Sequence, residues 1–513
     1  MKKISPFAKN SRESSTACHM ADALKFLIRV AADAGLRSTS FELSDIRENL
    51  LQLVERGKRH SAGNGESAAP STQNQKCNQN EGTAGSEKSP FSEFEKNESN
   101  VRFYCREMRA VFSRAVNARV WDEDGVEYID FLSGCGSLNY GHNHPVIKAR
   151  VIDYQIGDGM LSGLDLHTNA KREFLREFCQ TILVPRGLDY RVAFTGPTGT
   201  NAVEAALKLA RKVTGRRPVV AFTGAFHGMT LGAVAAAARN DHRHSAGFPL
   251  ADVVRLPFDG YQEAGLIELH RYEAMVNDPA GGLELPAAFI VETIQGEGGL
   301  NVASSEWLQE LAAIAKRLGA LLIVDDIQAG CGRTGEFFSF SYAGIHPDLV
   351  CLAKSIGGIG LPMALLLIKP AYDQWAPGEN NGTFRGNNLA FVAATTALQL
   401  WQEASFLASL SQSADLIRSW IDRLTTDFGN AGVYQRGRGL MSGVAFANHG
   451  TARRAAAEAF RQGLLIETSG AHSEVLKLMP PLTIEHDVLQ QGLSRLRDSI
   501  EIALIKDQLK PAA

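Results

Sequence analysis

The chain has 513 residues, and its 53 basic and 56 acidic residues give a net charge of −3 at pH 7. Hydrophobic residues make up 44% of the sequence, which is enough for a large buried core and excludes a chain that is disordered throughout. A charge this close to neutral gives no reason to expect nucleic acid or an acidic membrane surface as a partner.

The first 97 residues differ in composition from the rest of the chain. Residues 1–56 contain two amphipathic stretches, 19–34 and 43–56, which predict an N-terminal helical extension. Residues 57–97 are rich in Ser, Gly, Asn, Gln, Glu and Lys, as is typical of a flexible linker. The extension is either a partly ordered tail or a docking module for a protein partner, and the sequence leaves both interpretations open.

From residue 98 onward, apolar runs that predict strands alternate with stretches rich in alanine and leucine that predict helices. This alternation is typical of an α/β protein whose mostly parallel sheet is covered on both faces. The predicted strands include residues 219–222, 288–292, 321–324 and 349–352, and the predicted helices include residues 202–213, 305–318 and 389–400. Glycine-rich segments follow these strands, at the edge where ligands bind in open α/β sheets.

The seven cysteines are scattered, and no two of them have C-x-x-C spacing. This distribution argues against a disulfide scaffold and against a zinc site, so we expect no bound metal. No apolar run reaches the roughly 18 residues of a membrane span, and no secretory leader follows the basic N-terminus. We therefore expect a cytoplasmic protein without a membrane partner.

The segment from Phe194 to Lys208 predicts a short strand, a Gly/Thr-rich loop and a strong helix. Free N–H groups at the start of a helix favour an anion, so Gly199 and Thr200 could hold a phosphate. The loop is neither a P-loop nor a G-x-G-x-x-G fingerprint, which argues against a nucleotide. An ordinary helix cap by Thr198 or Thr200 explains the same residues without a ligand.

Two carboxylates, Asp325 and Asp326, follow the predicted strand 321–324. Adjacent residues of a strand face opposite sides of a sheet, so the two cannot have the same role. A buried carboxylate needs a cation or an N–H donor. A protonated ring nitrogen would suit Asp325, and a cap of the following turn is the alternative.

Lys354 follows the predicted strand 349–352 and enters a glycine-rich loop. Most lysines are solvated surface charges, but a lysine in apolar surroundings can lose its proton and form a Schiff base. A phosphate-binding loop, a buried aspartate and a strand-end lysine together fit pyridoxal 5′-phosphate. In this interpretation Lys354 is joined to the cofactor as an imine, and Asp325 keeps the pyridine nitrogen protonated.

Residues 101 to about 505 resemble the class III aminotransferases, the group of ornithine and GABA aminotransferases. The resemblance rests on the runs Leu138–Pro145, Gly196–Glu204, Gly296–Gly299, Val324–Gly335, Asn381–Asn388 and Ile466–Glu474. It implies an α/β fold, the type I fold of PLP-dependent transferases, with a mostly parallel seven-stranded sheet in a large domain. That domain would cover residues 151–385, and a smaller α/β domain would combine residues 98–150 and 386–513 from both chain ends.

The resemblance also implies roles for individual residues. Phe226 and His227 would contact the cofactor, with Phe226 stacked on its ring, and Gln328 would touch its phenolic oxygen. Thr383 would reach the phosphate from the neighbouring subunit, which implies a homodimer with shared active sites. The alternatives are a core role for Phe226 and an ordinary loop position for Thr383. Glu292 would support the site from behind.

Substrate binding is where the chain departs from the family. Glu297 matches a glutamate that pairs with an arginine and masks it when the amino donor binds. This chain has Lys477 in place of that arginine, and lysine lacks the bidentate fork that matches a carboxylate. We predict Glu297 and Lys477 as substrate-binding residues. Whether Lys477 or another basic residue binds the 2-oxoglutarate carboxylates stays open.

The resemblance favours transfer of an amino group from L-glutamate to L-aspartate 4-semialdehyde. The products would be L-2,4-diaminobutyrate and 2-oxoglutarate, formed by ping-pong kinetics, and they could serve ectoine, siderophore or peptide-antibiotic synthesis. Lys354 and Asp325 would be the catalytic residues, with the released Lys354 amine as the base. The alternative is an ω-aminotransferase for an ornithine-, GABA- or acetylornithine-like substrate, because one methylene is worth only about 1–3 kcal/mol in a pocket.

Overall fold

The structure is a computed structural model that describes residues 89–250 and 252–508. The helices predicted at 19–34 and 43–56 and most of the predicted linker lie outside the described residues. The last residues of that linker contain a short helix, Ser92–Asn97. The Arg109 guanidinium lies 4.6 Å above the Phe91 ring, which ties this segment to the residues before the first strand.

The strands, in chain order, are β1 (Phe112–Val116), β2 (Arg119–Asp122), β3 (Glu127–Asp130), β4 (Arg191–Phe194), β5 (Val219–Phe222), β6 (Val253–Leu256), β7 (Ala288–Val291), β8 (Ile294–Gln295), β9 (Asn301–Val302), β10 (Leu321–Asp325), β11 (Leu349–Leu352), β12 (Leu365–Ile368), β13 (Val433–Arg438), β14 (Met441–Phe446), β15 (Leu464–Leu465), β16 (Glu467–Ser469) and β17 (Val475–Leu478).

The helices, in chain order, are α1 (Ser92–Asn97), α2 (Tyr104–Glu107), α3 (Pro145–Ile156), α4 (Asn169–Glu177), α5 (Gly199–Thr214), α6 (Leu231–Ala236), α7 (Asn240–His244), α8 (Leu266–Asn277), α9 (Ser305–Arg317), α10 (Asn388–Gln399), α11 (Ala404–Phe428), α12 (Thr451–Arg461) and α13 (His486–Gln508). Ser133–Gly136 forms a separate tight turn. Within the described part of the chain, no helix is long and apolar enough to cross a membrane.

Seven strands form the central sheet in the order β4-β12-β11-β10-β7-β5-β6. β12 is antiparallel to both of its neighbours, and the other strand pairs are parallel, so the predicted mostly parallel seven-stranded sheet is confirmed. All residues of β5, β7, β10, β11 and β12 are buried. Strands covered on both faces are apolar without interruption, which is why the sequence predicted them well.

Alternate residues of these strands pack against two different hydrophobic clusters, one on each face of the sheet. In β10, Leu321 and Ile323 belong to the cluster that contains α5, whereas Leu322 and Val324 belong to the cluster on the other face. The same alternation carries Asp325 to the α5 face of the sheet. The two faces therefore separate the side chain of Asp325 from that of Asp326.

The chain segments before and after the central sheet share a second sheet. β15 pairs in parallel with β3, so β1, β2, β3 and β15 form one four-stranded sheet. This pairing agrees with a smaller α/β domain built from both ends of the matched region. The domain boundaries at residues 150 and 385 stay a prediction.

Phe391 in α10 provides a test of the core. Its ring centroid lies 4.7 Å from that of Phe194 and 5.4 Å from that of Phe174, and all three rings are buried. Phe391→Ala should lower the free energy of unfolding in urea by about 3–5 kcal/mol, because it leaves a cavity in a closely packed cluster. Phe248→Ala is the matched control: its ring is 63% exposed, so the cost should stay below about 0.5 kcal/mol. Equal costs at both positions would contradict this packing.

Candidate active site

Lys354 lies two residues after the end of β11 and has a left-handed backbone conformation, with φ of 54°. Its Nζ donates a hydrogen bond of 2.9 Å to the carbonyl oxygen of Cys135. Burial lowers the pKa of the Lys354 amine, although Glu297 opposes this shift. The amine is therefore easier to deprotonate than that of an ordinary surface lysine, as its predicted role requires.

Asp325 is the last residue of β10, and the parallel register places it opposite Cys351, three residues before Lys354. One carboxylate oxygen of Asp325 lies 2.7 Å from Nδ1 of His227, and both side chains are buried. The other oxygen accepts the backbone N–H of Ile327 at 3.2 Å. His227 Nε2 has no hydrogen-bond partner, so this buried pair keeps one polar atom free for a ligand.

Asp326 points to the other face, where its Oδ2 accepts the backbone N–H of Ser339 at 3.1 Å. Burial raises the pKa of Asp326 to about 7. The two adjacent carboxylates thus have different partners and different environments, as the strand alternation predicts. Asp326 belongs to the core behind the site rather than to the site itself.

Glu292 accepts the backbone N–H groups of Phe226, at 2.9 Å, and of Gly296, at 3.2 Å. Burial raises the pKa of Glu292 to about 7, and the nearby His227 counteracts this shift. The first hydrogen bond holds the loop that carries Phe226, and the second holds the segment that leads to Glu297. They are the contacts expected of a residue that supports the site.

The N-terminus of α5 lies beside these residues. Thr198 is the N-cap: its backbone N–H and its hydroxyl both lie within hydrogen-bond distance of Asn201 Oδ1, at 3.2 and 2.8 Å. The Thr200 hydroxyl lies 2.6 Å from the Thr230 hydroxyl. A Cβ atom at Gly199 would come within 2.9 Å of the terminal methyl of Ile327, so a larger residue there would require the Ile327 side chain to move. Thr198 is the helix cap, whereas Gly199 and Thr200 are the first residues of the helix. The helix cap and a binding site for an anion can therefore both be present.

Eight of the ten predicted site residues line one cavity of about 160 Å³ at the carboxyl ends of the strands. They are Gly199, Thr200, Phe226, His227, Glu297, Asp325, Gln328 and Lys354. Gln328 donates a hydrogen bond of 3.1 Å to the same Cys135 carbonyl oxygen that Lys354 uses. The structure thus brings together the residues that the sequence placed on separate segments.

Lys477 lies behind Glu297 and is not one of the lining residues. Its Nζ is 2.9 Å from a carboxylate oxygen of Glu297 and 2.9 Å from one of Glu467, and its side chain is fully buried. Burial alone would raise the pKa of Glu297, but Lys477 outweighs this effect and lowers it to about 2. Burial would lower the pKa of Lys477, but Glu467 and Glu297 raise it above its ordinary value. A substrate carboxylate would reach Lys477 only if Glu297 moved aside.

Sequence reasoning gave no role to three residues around this ion pair. Glu467 in β16 is the cross-strand neighbour of Lys477 in β17. The Tyr104 hydroxyl donates a hydrogen bond of 3.0 Å to Glu467 and lies 2.9 Å from Cys135 Sγ. Glu467 and Lys477 lie ten positions apart in the chain. A prediction of the pairing between β16 and β17 would have been needed to place them side by side.

Thr383 is exposed and lies outside the cavity within the single chain. Its predicted contact with the phosphate of a neighbouring subunit is therefore not made within one chain, and it stays a prediction.

Residues 104–500 match the family described as aminotransferase class-III. The chain is 50% identical over 408 residues to a diaminobutyrate–2-oxoglutarate transaminase of Halalkalibacterium halodurans, covering 80% of this chain and 96% of the relative. It is 53% identical over 409 residues to a transaminase of the same name from Nocardia farcinica, covering 80% of this chain and 93% of the relative.

Two solved structures are also similar. An ornithine aminotransferase from Toxoplasma gondii has a TM-score of 0.70 and 27% identity, and the match covers 82% of this chain and 94% of that structure. An N-acetylornithine aminotransferase from Stenotrophomonas maltophilia has a TM-score of 0.63 and 29% identity, with 78% and 97% covered. The chain belongs to the class III aminotransferases.

The residues of the cavity fit the cofactor of this family, pyridoxal 5′-phosphate. The start of α5 at Gly199 offers backbone N–H groups for a phosphate. The buried Asp325–His227 pair offers an anion for the pyridine nitrogen, and Lys354 offers an amine for the aldehyde. These three groups line one cavity, which is what a cofactor with these three functions requires.

Asp325→Asn tests this arrangement. Loss of one partner of a buried charge pair costs about 3–5 kcal/mol, so we expect turnover to fall by about 150- to 5,000-fold. Steady-state kinetics with saturating cofactor would measure the effect. Asp326→Asn is the matched control, since this adjacent carboxylate faces away from the cavity and accepts the backbone N–H of Ser339. Equal losses in both variants would contradict the assignment.

Proposed function

We propose that this enzyme transfers the amino group of L-glutamate to L-aspartate 4-semialdehyde, giving L-2,4-diaminobutyrate and 2-oxoglutarate. One observation carries the choice of substrates: two relatives that are 50% and 53% identical are diaminobutyrate–2-oxoglutarate transaminases, and each match covers more than nine-tenths of the relative. The architecture of the cavity is consistent with this reaction.

Pyridoxal phosphate supplies an electron sink for the charge that develops when the carbon beside the reacting nitrogen loses its proton. The protein residues bind, orient and exchange protons. We propose that Gly199 and Thr200 hold the phosphate, that Phe226 and His227 contact the ring, that Gln328 touches the phenolic oxygen and that Asp325 faces the pyridine nitrogen. Their common position in one cavity supports these roles.

Lys354 is the proposed base. Once its amine is free, the Cys135 carbonyl oxygen can hold it at the 2.9 Å distance seen in the structure. The lowered pKa makes it easier for the amine to lose its own proton, and the neutral amine can accept a proton from the substrate carbon and return it to a neighbouring position. Two successive half-reactions at one site predict ping-pong kinetics.

We also propose a homodimer whose subunits share active sites. Apolar side chains are exposed along residues 160–166, and Asn388 anchors this segment by donating to the carbonyl oxygens of Leu161 and Met160. Phe384, in the loop that carries Thr383, is 74% exposed. A second copy that covered this apolar surface would place Thr383 at an interface, and exposed apolar patches of this kind mark protein contacts.

The following experiment tests the shared site. Lys354→Ala and Thr383→Val chains with different tags are co-expressed, and the mixed dimer is purified through both tags. If Thr383 acts in the neighbouring site, one site of the mixed dimer contains both native residues, so we expect roughly half of the wild-type turnover, well above either homodimer. Turnover no higher than the mean of the two homodimers would place Thr383 in its own subunit's site or outside both.

Substrate length separates the proposed reaction from its alternative. The wild-type enzyme should show a higher kcat/KM for aspartate semialdehyde than for glutamate semialdehyde, by about 5- to 150-fold, the value of one methylene in a fitted pocket. Parallel assays with glutamate as the amino donor measure this ratio. A faster reaction with glutamate semialdehyde would favour an ornithine-like activity instead.

A cytoplasmic location is part of the proposal. The five described cysteines are all free, which suits a reducing compartment.

A protein partner for residues 1–56 stays a prediction, since those residues lie outside the described part of the chain.

A further inference from the structure

The Glu297–Lys477–Glu467 triad contains two carboxylates and only one ammonium group. Lys477 Nζ lies 2.9 Å from an oxygen of each glutamate. The third neighbour, Tyr104, donates a hydrogen bond to Glu467 and adds no charge, since burial raises the pKa of its hydroxyl well above the ordinary value. The triad therefore has one surplus negative charge.

Of the two glutamates in the triad, Glu297 is the one that faces the cavity. The side chain of Glu467 is 4% exposed and does not line the cavity, whereas that of Glu297 is 32% exposed and does. The backbone pairing of β16 with β17 holds Glu467 beside Lys477, so Glu467 can act as the counter-ion of Lys477 when Glu297 contacts a bound molecule. Glu297 is the carboxylate that a bound molecule can contact.

Among the described residues, Lys477 is the one cation in an ion pair with Glu297. Arg239 is near enough for its pKa to respond to Glu297, but its guanidinium pairs with Asp241 at 2.7 Å. Lys354 also lies near Glu297, but its amine is the group that reacts. An unbalanced charge in a desolvated site is costly, so a cationic group on the substrate would be strongly favoured there.

We propose that Glu297, with its charge left unbalanced when Glu467 acts as the counter-ion of Lys477, recognises the non-reacting α-ammonium group of the amino-acid semialdehyde and of diaminobutyrate. The inference rests on the proposed function. In these molecules one methylene separates the reacting carbon from the carbon that bears the second nitrogen. The triad thus selects aldehydes that are also amino acids over aldehydes that bear a carboxylate alone.

Succinate semialdehyde provides the matched probe, because it has the same four carbons and the same carboxylate but no ammonium group. We expect the wild-type kcat/KM with aspartate semialdehyde to exceed that with succinate semialdehyde by at least about 100-fold. In Glu297→Gln this ratio should fall at least tenfold, mainly through a higher KM for aspartate semialdehyde. Simple structural damage would slow both substrates equally and leave the ratio unchanged.

Glu467→Gln tests the charge count without touching the cavity. It leaves the Glu297–Lys477 pair balanced, so the ratio should again fall at least tenfold. Glu474→Gln is the control: this glutamate follows β16 in the chain and accepts the backbone N–H of His472, and its substitution should leave the ratio unchanged.

A ratio within threefold of wild type in Glu297→Gln or in Glu467→Gln overturns the inference. A wild-type enzyme that converts aspartate semialdehyde with glutamate but does not discriminate against succinate semialdehyde overturns it as well. If the wild type fails to convert aspartate semialdehyde at all, the proposed function itself fails, and the two failures are thereby distinguished.

Discussion

The parallel pairing of β10 with β11 is the constraint on which the site depends. It sets Asp325 opposite Cys351 and so brings the carboxylate and Lys354 to the same edge of the sheet. Both strands are buried on both faces, so a one-residue shift in register would move each side chain to the opposite packed face and disrupt the packing there. The rigid sheet thus fixes the spacing between the ends of the strands that carry the Asp325 carboxylate and the Lys354 amine.

The turn Ser133–Gly136 completes this arrangement at a cost in backbone strain. Its four residues all have left-handed φ values, 47°, 55°, 56° and 85°, and two of them, Ser133 and Cys135, are not glycine. Such residues cost about 1–2 kcal/mol each. The strained turn presents one carbonyl oxygen, that of Cys135, to both Lys354 and Gln328, and Ser355 donates a hydrogen bond of 2.7 Å to the carbonyl oxygen of Gly136. Strain that persists beside a reacting group is typical of functional sites.

Local sequence was a good guide to the sheet and to the cavity but a poor guide to contacts between distant segments. The strand predicted at 349–352 has the observed bounds, because a fully buried strand is one continuous apolar run. Helix α5 begins three residues before the predicted position 202, since the cap is Thr198. The Glu467–Lys477 pair depends on a β16–β17 register, and the Tyr104–Glu467 contact spans 363 residues. Neither contact can be predicted from hydrophobic periodicity or from the spacing of motifs.

We propose that Lys354 is the residue joined to the cofactor, and the other proposed roles depend on this assignment. Borohydride reduction of the cofactor-loaded enzyme, followed by protease digestion and peptide mass spectrometry, tests it most directly. The account predicts a single pyridoxyl adduct on the peptide that contains Lys354, and no adduct in Lys354→Ala. An adduct on another lysine of the wild-type chain, or none at all, would contradict it.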